Sequence, residues 1–87
     1  MARTKSILEI QISAATEGLL WKGRATSLSS ENSQGPFDLL GEHANFVTIV
    51  REKPIIIRQD KNIIKKLTPR TAVIYVKGNS VKVYTGI

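Results

Sequence analysis

The only histidine of the chain, His43, is the first residue to suggest chemistry, because imidazole titrates near neutral pH and serves as general base and metal ligand. It stands within "GPFDLLGEHANFVTIV", Gly35 to Val50, between two apolar runs. A zinc or iron site needs three or four ligands. With no cysteine and no second histidine, the other ligands would all be carboxylates, and the spacing does not gather them. His43 therefore reads as a structural or interface residue, its ring held by hydrogen bonds at the start of a strand. Ser29 and Ser30 have no nucleophile elbow around them and no base paired with them. Gly18, Gly23, Gly35, Gly41, Gly78 and Gly86 lack the spacing of either phosphate-binding motif. Asp and Glu number seven and are scattered, which offers no evident pair for glycosidase-type acid–base work. The expectation is a chain with no catalytic residues, no cofactor and no metal.

The elements that must position any site follow from size and pattern. With 87 residues, the chain is expected to form a single domain over 1–87 with a modest core, too small to carve an elaborate cleft from. Hydrophobic residues at 41% and charged residues at 23% are ordinary for a folded domain. The absence of cysteine excludes disulfides and thiolate chemistry and leaves the compartment open. "MARTKSILEIQIS" is interrupted by Glu9 and Gln11 well short of a signal-peptide core, and no run approaches the roughly 20 apolar residues of a membrane span.

Period-2 alternation dominates the chain. Leu8, Ile10 and Ile12 fall on one face of a first strand. Leu19 to Leu28 reads as a second strand with Gly23 as a bulge or close contact. "SSENSQGP", Ser29 to Pro36, reads as a polar surface loop. "FDLL" and "HANFVTIV" follow as strands, then the hairpin "PIIIRQ"/"NIIKKL" around Asp60-Lys61-Asn62, with a single helical turn over "NIIKKLTPR" as the weaker alternative. "TAVIYV" and "VKVYT" form a last hairpin around Lys77 to Ser80. The predicted fold is all-β, an antiparallel sandwich or flattened barrel of seven to ten short strands, its core including Leu8, Ile10, Ile12, Trp21, Leu28, Leu40, Val47, Ile49, Val73 and Val83.

Thirteen Lys and Arg against seven Asp and Glu give a net charge of +6, which would attract nucleic acid, anionic lipid or an acidic protein surface. Lys53, Arg58, Lys61, Lys65, Lys66, Arg70, Lys77 and Lys82 crowd the C-terminal half. A nucleic-acid-binding barrel would add exposed aromatics for stacking. Trp21, Phe37, Phe46, Tyr75 and Tyr84 all lie in apolar strand patterns, where core packing is the simpler role, so no nucleic acid is expected. A small basic nucleic-acid-binding barrel stays as the alternative.

An ordered set of residues carries a resemblance: Glu17, Gly18, Leu19, Leu20, Trp21, Gly23, Ser27, Leu28, Gly35, Leu39, Leu40, His43, Ala44 and Thr48, with "VIYVKGNSVKVY" behind them. Together they resemble the N-terminal β-sandwich domain of the F-type ATP synthase epsilon subunit, over roughly Ile7 to Tyr84. The family's Pro-Gly before the histidine is Gly41-Glu42 here, its Pro after His-Ala is Asn45, its Gly-Gly before the last strands is Thr71-Ala72, and a loop position often acidic is Pro36. The chain ends at Ile87, ahead of the family's C-terminal helical hairpin, which the resemblance therefore implies is missing. It further implies a non-catalytic central-stalk subunit of a proton-translocating ATP synthase that links the gamma subunit to the c-ring, peripheral to the cytoplasmic side of an energy-transducing membrane and touching it only through the complex. The implied partner surface is Glu31, Asn32, Ser33, Gln34, Asp38, Glu42 and His43 toward the c-ring, with Ala44 to Thr48 near gamma. A free-standing adaptor with the same sandwich is the other reading that these departures allow.

Overall fold

A computed structural model describes residues 7–41 and 45–87. Among them run nine strands: β1 (Leu8–Ala14), β2 (Gly18–Ala25), β3 (Ser27–Asn32), β4 (Gly35–Leu40), β5 (Phe46–Arg51), β6 (Ile55–Gln59), β7 (Asn62–Leu67), β8 (Thr71–Lys77) and β9 (Ser80–Thr85). They form two layers, a five-stranded sheet in the order β2-β1-β9-β8-β5 and a four-stranded sheet in the order β4-β3-β6-β7. The all-β sandwich is as the alternation predicts. One pairing is not antiparallel: β1 and β9 run parallel at the centre of the larger sheet, with Ile10 opposite Val81 and Ile12 opposite Val83.

The core lies between the layers. Leu8, Ile10 and Ile12 of β1, Ile74 and Val76 of β8, and Val81 and Val83 of β9 meet Leu28, Leu39, Ile55 and Ile57 of the smaller sheet, all buried. From Leu8 to Ser13 and from Ser80 to Val83, β1 and β9 alternate between apolar and polar residues, which fixes their inward face, since a one-residue slip would turn these apolar side chains to water.

The predicted second strand is two strands in different sheets. Thr26 makes the corner: its amide and its hydroxyl both donate to the carbonyl of Arg58, at 2.9 and 3.1 Å, and the hydroxyl accepts from the Asp60 amide at 2.8 Å. The chain thus leaves the larger sheet at Ala25 and enters the smaller one at Ser27 with its polar groups satisfied. The predicted loop "SSENSQGP" is instead a hairpin whose limbs are the end of β3 and the start of β4. Serine is tolerated there because Ser30, though buried, donates to the Pro54 carbonyl at 2.9 Å and Ser29 faces outward. "NIIKKL" is strand β7, not a helical turn.

Half of the predicted core is placed differently. Leu40, Val47 and Ile49 are exposed and Val73 is only half-buried, because the inward phase is taken by the residue beside each: Leu39, Thr48, Val50 and Ile74. Trp21 is half-buried and packs on the rim of the core. Its indole lies over Gly23, so closely that a Cβ on residue 23 would sit 2.7 Å from two ring carbons. Gly23→Ala should therefore lift the ring and destabilise the fold by about 1–3 kcal/mol, the range for overpacking. The chain has one tryptophan, so a thermal melt followed by its fluorescence reads both effects, and an unshifted spectrum with an unchanged midpoint would contradict the contact.

Candidate partner-binding site

Two surfaces meet at strand β5. The first is the tip of the β3–β4 hairpin. Ser33 and Gln34 make the turn between the paired residues Asn32 and Gly35. Gly35 holds φ at +117°, a conformation rarely adopted by residues with a Cβ. The Asn32 side chain serves both sides of the turn: its Oδ1 accepts from the Gln34 amide at 2.9 Å, and its Nδ2 donates to Thr48 Oγ1 on β5 at 3.0 Å. That second bond ties the tip to the other sheet. Beside it, Phe37 of β4 and Phe46 of β5 pack edge to face with centroids 5.9 Å apart, a favoured aromatic geometry. Between tip and strand runs a groove of about 700 Å³, with residues 31–34 on one side, β5 on the other, and Arg51 and Lys53 at one end. Lys53 lies 3.7 Å from Glu31, both half exposed, so the pair contributes little to stability.

The predicted residues divide accordingly. Glu31, Asn32, Ser33, Gln34 and Thr48 converge on this groove. Asp38 does not line it; it lies on the outer face of the smaller sheet, opposite Ser29, whose hydroxyl donates to its carboxylate. Arg58 donates to the same hydroxyl at 3.3 Å. Glu42, His43 and Ala44 lie outside the described residues. Among the described residues no three His, Asp or Glu side chains come together in a way that would hold a metal ion.

The second surface was not anticipated. The outer face of the larger sheet carries Val47 and Ile49 of β5, Val73 and Tyr75 of β8, and Tyr84 of β9. Register makes them neighbours: Val47 pairs with Tyr75, Ile49 with Val73, and Val73 with Tyr84. Across Ser13 the band reaches Leu19. Val47 is 58% exposed, Ile49 47%, Tyr75 45% and Tyr84 42%. Lys82, opposite both Tyr75 and Gln11, begins a cationic margin that continues through Lys22. The placement of Tyr75 and Tyr84 corrects the expectation that every aromatic serves the core. The signal was present in β5 and β8, both apolar on both phases of the alternation, which is the pattern of a strand covered on both faces.

Comparison with known structures gives the architecture a context. The chain superposes on a chain of the Tetrahymena thermophila mitochondrial ATP synthase central stalk and c-ring assembly with a TM-score of 0.75, at 10% identity, covering 98% of this chain and 67% of that one. It superposes on a chain of the Euglena gracilis mitochondrial ATP synthase, in the assembly of OSCP, F1 and c-ring, with a TM-score of 0.76 at 13% identity, covering 97% of this chain and 53% of the other. The chain shares its fold with ATP synthase components. It spans about half the length of the Euglena chain. No family model and no curated protein matches the sequence.

Proposed function

We propose that this domain is an epsilon-like, non-catalytic part of the central stalk of an F-type ATP synthase, seated against the gamma subunit and facing the c-ring. The observation that carries the proposal is the contiguous apolar band Val47–Tyr75 and Ile49–Val73–Tyr84 on the outer face of a sandwich of this fold. An exposed apolar patch bordered by polar and charged residues marks a protein contact. In this reading gamma covers the band, which overlaps the stretch Ala44 to Thr48 that the family resemblance assigns to it. The hairpin tip, Glu31 to Gln34, is the polar surface turned toward the c-ring, the partner to which the family resemblance also assigns Glu42 and His43. Asp38 stands on a different face and leaves this contact set. Association with the membrane would then be peripheral and through the complex. Among the described residues no helix is long and apolar enough to cross a membrane.

The test is co-expression with the gamma subunit encoded in the same genome. The domain should be retained by tagged gamma through washing at near-physiological salt. A folded domain that gamma never retains would sink the assignment.

A second reading is favoured by one observation, the exposure of Tyr75 and Tyr84 beside Lys82 on one sheet face. Such a platform could stack the bases of a single strand. Titration with labelled single-stranded RNA and DNA separates the two readings, since nucleic-acid binding would fall steeply with salt and would be abolished by replacing both tyrosines with serine.

A further inference from the structure

Lys61, Lys65 and Lys66 of the cation-rich C-terminal half belong to neither surface above, and the hairpin that carries them has an unusual local structure. In the β6–β7 hairpin the register slips between Ile57 and Arg58: Ile57 faces Lys65 and Arg58 faces Ile63, leaving Ile64 as an extra residue in β7. A bulge of this kind breaks the alternation and re-aims side chains. Ile63 and Ile64, adjacent in sequence, are consequently both exposed, at 54% and 40%. Strand β7 is also the free edge of its sheet. Around the isoleucine pair stand Lys61 in the turn and Lys65 and Lys66 in the strand, with Asp60 the only acid between residues 55 and 67.

We infer that the bulged edge of β7 is a contact for an anionic lipid surface, with Ile63 and Ile64 entering the interface and Lys61, Lys65 and Lys66 meeting the headgroups. Adjacent aliphatic side chains within a cluster of lysines match the two attractions that hold a protein at such an interface, apolar burial and charge. Long lysine stems let the ammonium groups stay at headgroup level beside a buried aliphatic pair. The form of the site separates this occupant from others. Ile63 and Ile64 line none of the clefts at the hairpin tip, beside the β7–β8 connection or along β2, so they present a projection to a deformable plane, whereas a partner helix is received by a groove. There is no aromatic ring between residues 55 and 67 to stack a base. The inference is independent of the stalk reading, because it uses the opposite sheet and none of the residues assigned to gamma.

Flotation with vesicles of phosphatidylcholine alone, and with about one third phosphatidylglycerol, tests it at near-physiological salt. The domain should float with the anionic vesicles only. Ile63→Ser with Ile64→Ser should weaken that binding roughly tenfold through lost apolar burial, and each Lys→Gln at residues 61, 65 and 66 should weaken it about fivefold. All of these variants should keep the parental melting temperature, and Val47→Lys with Ile49→Lys should leave flotation unchanged. No flotation with anionic vesicles overturns the inference. So does flotation that survives the isoleucine changes intact, which would report net charge alone, and so does a β7 variant that loses gamma while vesicles are ignored, which would make the edge a protein contact. Failure here leaves gamma retention by the parental domain as a separate reading of the stalk proposal.

Discussion

Ile74→Ala should unfold the domain at a temperature far below the parental one, whereas Ile49→Ala should scarcely change it. Both residues are isoleucines in the larger sheet, on adjacent strands, and the sequence around each is equally apolar. Ile74 is fully buried and points between the layers against the core cluster. Removing its three outer carbons forfeits transfer free energy and leaves a cavity, together about 2–5 kcal/mol. In a domain of this size each kcal/mol moves the midpoint by about 4–8 °C, so the expected fall is of the order of 10–30 °C. Ile49 faces outward and is half exposed, so its truncation empties no cavity and should cost under about 1 kcal/mol. Thermal denaturation of the two variants checks the assignment of faces directly; equal losses would mean that the inward phase of β5 is wrong.

The reverse ranking is expected for binding. Val47→Lys with Ile49→Lys puts two charges into the middle of the outer apolar band, at positions whose side chains already face solvent in the free domain. An edge strand accepts outward lysines without loss of fold. Central apolar anchors of an interface typically contribute 2 kcal/mol or more each, so the double change should weaken retention by gamma about a thousandfold or more if the effects add. In a pull-down this reads as complete loss, while Ile74→Ala protein held below its midpoint should still be retained. A double variant that binds gamma as tightly as the parent would remove the outer face from the proposed contact.

Much of the fold was legible because β1 and β9 carry one apolar phase and one polar phase, and such strands admit a single orientation. Where both phases are apolar, as in β5 and β8, the alternation fixes a strand but not its faces, and it does not choose between Ile49 and Val50 or between Val73 and Ile74; in β4 the adjacent pair Leu39-Leu40 leaves the same choice. What decides their orientation is long-range: Thr48, which would face outward if Val47 and Ile49 faced the core, faces inward, where Asn32 of the other sheet supplies its hydrogen bond. The serines of β3 misled in the opposite sense, since the pairing with β4 and the bond from Ser30 to Pro54 are what make a polar stretch into a strand. Of the candidate site, the tip residues were contiguous and so were found together. Asp38, close to them along the chain, is carried by strand alternation to the outer face of the smaller sheet, opposite Ser29. The apolar band shows in the sequence only as the second apolar phase of β5 and β8, which does not say which phase is the core, because a surface built to be covered by a partner has the composition of one.

The parallel pairing of β1 and β9 has a mechanical consequence. Because Glu9 lies opposite Ser80 and Ala14 opposite Thr85, the start of β1 and the end of β9 lie at opposite ends of the same ladder. Tension applied between those points pulls the two central strands lengthwise past each other. Their evenly spaced hydrogen bonds then carry the force together rather than opening one after another as in a hairpin peeled from its free end. The ladder is extended at that end by the Thr85 hydroxyl, which donates to the Ser13 carbonyl at 3.2 Å, and by the Ala15 amide, which donates to the Thr85 carbonyl at 3.2 Å. A domain loaded along this axis yields by shear, all at once, and up to that threshold it behaves as a stiff strut.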